Sequence, residues 1–274
     1  MTPRKPCRGC GDNNIDSAPI QLNRRILVLQ HADWEVAGVY GEQLHRAGWQ
    51  VVTHRPEQGS ALPDWTRFDG IVAMGGPMSA NDELPWMVAE KVLVTSAVRA
   101  GVPFYGACLG AQLLAAALGA RIYRGPRPEF GMGAVRMAPA SFDDPLFGGI
   151  PRQVPVFQWH GETFDLPTGA VLLATGDDVH HQAVRVGRVA YGVQFHLEVS
   201  SALLEEWLSV PSCHAEVVAA MGVGGPDELR AELRQAEVRM LRLATRVFAG
   251  WIGLVARQPK LPCPCRRRQL AKAD

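Results

Sequence analysis

The sequence predicts an α/β fold: an open, mostly parallel twisted sheet with helices on both faces, then small antiparallel strands and a C-terminal helix. Three observations carry this. From residue 24 to about 120, short apolar runs alternate with helix-length segments, as a covered parallel sheet requires. After Arg121, short strand-like pieces punctuated by Pro and Gly take over. Near the end, apolar residues recur at steps of three and four, the stripe of a docked helix.

Taken in order, "RRILVLQH" at 24–31 is the first buried strand. A helical pattern runs through "WEVAGVYGEQLHRAGW", and "QVVTHRP" at 50–56 is a second strand. "FDGIVAMGGP" at 68–77 is a third, ending in Gly-Gly-Pro. "PWMVAEKVLVTSAVRAG" at 85–101 has Pro near its start and Gly at its end, as a helix should. The strand "VPFYGA" and the helix "LGAQLLAAALG" follow. Beyond Arg121, "GAVRMAP", "VPVFQWHG", "AVLLATG" and "HQAVRVGRVAYGVQFH" read as strands paired in hairpins, with "GRVAYGVQFH" at 187–196 the clearest alternation. A helix near 201–209 precedes a loop rich in Gly and Pro. The last helix spans about 227–256, with Leu229, Leu233, Ala236, Met240, Leu243, Val247, Trp251 and Leu254 on one face. This organises the chain as a disordered leader over 1–24, one domain over 25–256 and a basic disordered tail over 257–274.

Charge is uneven. The net +1 divides into +3 on residues 1–25, +5 on residues 257–274 and therefore −7 on the body between them. An acidic body is a poor nucleic-acid platform, because phosphate binding needs a basic folded face. No apolar run approaches a membrane span, and "MTPRKPCRGCGDNN" has no hydrophobic stretch behind its charges. Six cysteines in 274 residues do not make a disulfide scaffold. The expectation is a cytoplasmic protein with reduced thiols, binding neither nucleic acid nor membrane.

The chemistry centres on Cys108. It falls between strand 102–106 and the helix from Leu109, beyond the carboxyl end of a parallel strand, where ligands bind in open sheets. A sharp strand-to-helix bend needs small neighbours, and Gly106, Ala107, Gly110 and Ala111 meet that need. A helix N-terminus favours thiolate over thiol, so the pKa of Cys108 is expected to be lowered. A thiolate nucleophile needs a proton carrier. Of eight histidines, His196 is the best placed, at the end of "VAYGVQFH", with Glu198 two residues on to hold its tautomer. Alone, that pair fits equally well a strand-end histidine bonded to a loop. "MGGPMS" at 74–79 is a tight turn through which a backbone N–H can approach a substrate, and the Leu109 N–H is the natural second oxyanion donor. Alone, Gly-Gly-Pro reads as an ordinary turn.

Together, "GGPMS", "YGACLGAQLLAAALG", "WHGETFDLP" and "YGVQFHLE" occur in the order and spacing of class I glutamine amidotransferase domains of the Cys-His-Glu type. The chain most resembles the free-standing group similar to the glutaminase domain of GMP synthase. The resemblance runs from about Arg25 through the 200–210 helix. It implies a flavodoxin-like sheet and hydrolysis of the glutamine side-chain amide without a cofactor. Cys108 is then nucleophile, His196 base and acid, and Glu198 the residue orienting His196. Gly76 and Leu109 N–H groups form the oxyanion hole. Gln112, His160 and Gly161 match positions lining the substrate pocket. One departure is Leu197, where the family usually has proline; its loss of a fixed φ is expected to loosen the geometry.

Only about 75 residues follow Glu198, and no phosphate-binding loop is present. Three readings follow: a glutaminase feeding a separate synthetase, a γ-glutamyl hydrolase or peptidase, and an inactive ligand-binding module. Cys7 with Cys10, and Cys263 with Cys265, could complete a zinc site if the termini met. They read better as two separate thiol pairs, so no metal is expected. Cys213 falls in the expected loop without a role, and His180 and His181 read as solvated.

Overall fold

The computed structural model describes residues 24–259. The two terminal cysteine pairs lie outside the described residues. In chain order the strands are β1 (Arg25–Leu29), β2 (Gln50–His54), β3 (Gly70–Ala73), β4 (Phe104–Ala107), β5 (Ile122–Met137), β6 (Gln153–Phe164), β7 (Val171–Thr175), β8 (Ala183–Val186) and β9 (Ala190–Val193). The helices are α1 (Gly38–Arg46), α2 (Pro85–Arg99), α3 (Leu109–Ala117), α4 (Ser201–Ser209), α5 (Pro211–Met221) and α6 (Gly225–Arg257).

All nine strands join one sheet in the order β2-β1-β3-β4-β9-β8-β7-β5-β6. The first five lie parallel, and β9, β8, β7, β5 and β6 are linked antiparallel. This is a flavodoxin-like α/β arrangement with an antiparallel extension. β3, β4 and β9 are buried along their whole length, which explains why β3 and β4 read as unbroken apolar runs; β9, expected as an alternating hairpin strand, pairs antiparallel with β8 and also parallel with β4. On one face, Leu93, Val94 and Ala97 of α2 and Leu114 of α3 pack with Phe104 and Ile71. On the other, α1 and α6 close the core. Tyr40 stacks on Phe248 at 4.6 Å between centroids, and Phe248 stacks on Trp251 at 5.2 Å. Leu229, Leu233, Met240, Val247 and Trp251 are fully buried, so the stripe on α6 docks as expected. Arg24 is buried and donates to the Ala256 and Gln258 carbonyls at 3.0 and 2.8 Å, tying the start of β1 to the end of α6.

Four local expectations need correction. The helical pattern over 34–49 forms a helix only from Gly38, because residues 30–37 loop over the end of the sheet. The strand expected over 187–196 stops at Val193, and His196 is held instead by an isolated bridge to Phe157. The Gly- and Pro-rich loop after α4 is the helix α5, with Pro211 in its first turn and Gly222 just past its end. His181 is half-buried, and its Nδ1 lies 2.7 Å from the Phe164 carbonyl.

Candidate active site

The carboxyl ends of β1, β3 and β4 open into a cleft of about 700 Å³ lined by Gly76, Cys108, Gln112, Trp159, His160 and Gly161, among others. Cys108 caps α3 at φ 50°, ψ −109°. Among the described residues it alone takes positive φ without being glycine. Such strain persists only where the surroundings enforce it. Here the enforcing contact is visible: a Cβ on Gly110 would lie 2.1 Å from the Ala73 carbonyl oxygen, and one on Gly106 would lie 2.4 Å from that of Gly110. β3, β4 and α3 approach too closely for any side chain at those two positions, and the bend falls on Cys108. Its residue is 7% exposed. The Sγ lies 3.7 Å from the Trp159 carbonyl and 3.9 Å from Gln194 Nε2.

The structure brings His196 and Glu198 to this sulfur. His196 Nδ1 is 2.6 Å from Glu198 Oε1, and the imidazole lies within electrostatic reach of Cys108. Burial opposes a charge on the imidazole, but the Glu198 carboxylate and Cys108 together hold its pKa well above the usual value. Glu198 and His196 are both buried. The Leu197 N–H donates to Glu198 Oε2 at 3.0 Å. The looseness expected from losing proline is therefore corrected: leucine supplies an N–H that proline lacks, and it fastens the carboxylate.

Gly76 faces the cleft with no room for a side chain, since a Cβ would lie 2.8 Å from both His31 Cβ and Leu109 Cδ2. Leu109 is the first residue of α3, so its N–H has no partner within the helix. Gln112 is buried, and its Nε2 donates to the Glu162 carbonyl at 3.0 Å and to Gln194 Oε1 at 3.3 Å. His160 lies on the wall, but its ring is engaged within its own sheet, 3.2 Å from Gln158 Oε1 and 2.9 Å from Glu129 Oε2. Gly161 opens on free space.

Three groups were not read from the sequence. His31 and Glu90 form a fully buried pair at 3.0 Å. His31 Nδ1 lies 3.0 Å from the Met74 carbonyl and 3.1 Å from that of Gly75, bracing the turn that carries Gly76. Burial opposes the His31 charge, yet Glu90 and those carbonyls raise its pKa. Glu35 also lines the cleft. Burial pushes its pKa up to about 7; His196 draws it down, Glu198 raises it and His31 lowers it. For His31 a sequence signal existed, a polar residue at the carboxyl end of a parallel strand; Glu90, within a helix, offered none. Cys213, expected in a loop, sits on α5 and lines the cleft, its thiol pushed up to about 11 by burial and by Glu35 and Glu216.

Among the described residues, no cluster of His, Cys, Asp or Glu is arranged to hold a metal ion, and no helix is long and apolar enough to cross a membrane.

Comparisons with known proteins bear on this site. The family model for class-I glutamine amidotransferases matches residues 40–208. The chain is 32% identical over 187 residues to the glutamine amidotransferase-like protein YfeJ of Salmonella typhimurium, covering 66% of this chain and 78% of that one. It is 31% identical over 170 residues to one subunit of the glutamine-hydrolysing GMP synthase of Pyrococcus furiosus, covering 58% and 86%. A solved glutamine amidotransferase from Methylobacillus flagellatus superposes with a TM-score of 0.77 at 28% identity, covering 86% of this chain and 97% of the other.

Proposed function

Because the chain belongs to the class-I glutamine amidotransferase family, we propose that it hydrolyses the side-chain amide of glutamine through a γ-glutamyl thioester on Cys108, releasing glutamate and ammonia. The observation that carries this is Cys108 held at φ 50° on the cleft wall, within electrostatic reach of an imidazole that Glu198 grips at 2.6 Å.

The Cys108 thiolate attacks the γ-carboxamide carbon. Charge gathers on oxygen, where the Gly76 and Leu109 N–H groups meet it. Protonated His196 gives its proton to nitrogen as the C–N bond breaks. His196, now neutral, takes a proton from water, and the resulting hydroxide cleaves the thioester. Glu198 keeps the imidazole in the required tautomer and offsets its charge. Gln112, His160 and Gly161 belong to the wall that receives the amino-acid end of the substrate. The likeness to a GMP synthase subunit supports delivery of the ammonia to a separate synthetase.

A second reading, hydrolysis of γ-glutamyl amides or peptides, is favoured by the cleft itself, whose 700 Å³ reaches Trp34, Trp207 and α5, far more room than ammonia needs.

The test is direct. Purified protein given glutamine should release glutamate and ammonia, and Cys108→Ala should abolish the release. Equal turnover by both proteins rejects the assignment. Comparing glutamine with γ-glutamyl peptides decides between the two substrates.

A further inference from the structure

The cleft around Cys108 has two differently built walls. On one, Ser79 Oγ donates to Glu162 Oε2 at 2.7 Å, and Gln112 Nε2 donates to the Glu162 carbonyl at 3.0 Å. On the other, Trp207 Nε1 donates to the Trp34 carbonyl at 2.8 Å, and Trp159 Nε1 donates to Glu216 Oε2 at 3.1 Å. Glu35 belongs to the second wall, following Trp34 and facing Cys213 of α5.

Glu35 is 8% exposed, yet its Oε2 is buried with no hydrogen-bond partner among the described residues. A buried, unpaired carboxyl oxygen is costly and calls for an explanation. Its location supplies one. A Cβ on Gly75 would lie 2.5 Å from Glu35 Oε2 and 3.1 Å from His196 Cε1. The carboxyl and the edge of the imidazole therefore both pack against the bare Cα of Gly75, where no side chain would fit. His196 is the group that protonates the departing nitrogen, so nitrogen leaves on the imidazole side of Cys108. The unpaired oxygen is on that side, bordering Gly75 together with the imidazole.

Resting on the amidotransferase reading above, we propose that Glu35 is the leaving-group subsite, accepting a hydrogen bond from the departing amine and standing as its counter-ion once it is protonated. The protons balance. As the S–C bond forms and the C–N bond breaks, the amide NH2 takes one proton from His196 and becomes ammonia. Glu35 in its acid form gives a second, so ammonium leaves and a carboxylate remains. Water then loses a proton to His196, its oxygen bonds the acyl carbon and the thiolate departs. The proton of the new γ-carboxylic acid returns to Glu35. Burial, offset by His196 and His31 and reinforced by Glu198, sets the Glu35 pKa at about 7, so both of its forms are populated near neutrality.

The experiment compares two substrates on the full-length chain. Glutamine releases a basic amine; L-γ-glutamyl-p-nitroanilide releases an aniline that stays unprotonated. Glu35→Gln is expected to lower kcat/KM for glutamine roughly 10- to 100-fold, the worth of one charge-assisted hydrogen bond. The loss on the anilide should be about tenfold smaller, because its departing nitrogen takes no second proton and needs no counter-ion. Equal losses on both substrates would mean that Glu35 only supports the fold, and would overturn the proposal. If the Glu35→Gln protein does not fold, Glu35→Asp carries the same comparison: it keeps the acid one methylene further back, and the loss should again be the larger on glutamine. A wild-type chain inert toward both substrates would remove the amidotransferase reading and this subsite with it, which distinguishes that failure from a failure of Glu35.

Discussion

The Leu197 N–H donates to Glu198 Oε2 over 3.0 Å, on the carboxylate whose other oxygen lies 2.6 Å from His196 Nδ1. Three consecutive residues thus form a closed unit in which the backbone positions the acid and the acid positions the imidazole. Glu198→Gln keeps the shape and removes the charge. His196 should then lose much of the upward pull on its pKa, and glutamine turnover should fall roughly 10²- to 10⁴-fold. Titration of the His196 ring by NMR in both proteins checks the first point and steady-state kinetics the second. An unmoved His196 titration would show that Glu198 does not set its charge.

The strain at Cys108 predicts that two inactive variants differ in stability. Cys108→Gly and Cys108→Ala should both be inactive. Glycine adopts φ 50° freely, whereas alanine retains the strain, worth about 1–3 kcal/mol. After glycine's greater loss of chain entropy on folding, the net difference is about 1 kcal/mol in its favour. Calorimetry should therefore find the glycine variant melting a few degrees above the alanine variant; the reverse order would mean that the bend is not strained.

β3 and β4 were legible because they are buried on both faces and spell themselves as apolar runs, whereas β9 alternates in sequence and gave no sign of its parallel pairing with β4. The bend at Cys108 was legible because close backbone approach leaves no room for a side chain at Gly106 and Gly110, two positions either side. α5 was not, because Pro211 and Gly222 look like loop punctuation when they stand at the two ends of a helix. Residues 30–37 misled in the other direction: Trp34, Val36 and Ala37 pack against the core from a loop, so their apolar spacing imitates a helix. The His31–Glu90 contact spans 59 positions, and no local periodicity reports a pairing made only by the fold.

That pair makes its own prediction. His31 braces the Met74 and Gly75 carbonyls, and through them the direction of the Gly76 N–H. His31→Ala leaves Glu90 buried and unpaired, which should cost about 3–5 kcal/mol of stability. In whatever fraction stays folded, kcat should fall more than KM rises, because an oxyanion donor acts chiefly in the transition state. Glu90→Gln, which keeps a hydrogen-bond acceptor for His31, should recover part of both. A folded His31→Ala protein with unchanged kcat would reduce the pair to a core contact.

Glu35 links the site to the pH dependence of folding. Its pKa rises from 4.5 to about 7 on folding. Between those values the folded chain holds a proton that the unfolded chain has released, so stability falls as pH rises through that window and levels off above it. A shift of this size corresponds to about 3 kcal/mol. His31 and His196, also raised on folding, add losses at higher pH, so wild type alone cannot isolate Glu35. The difference from Glu35→Gln can, since glutamine does not titrate. Melting temperatures of the two proteins should diverge in the variant's favour from pH 5 to pH 8, with most of the change below about pH 7. A difference constant across that range would mean that the Glu35 carboxyl titrates as freely in the folded protein as in the unfolded chain.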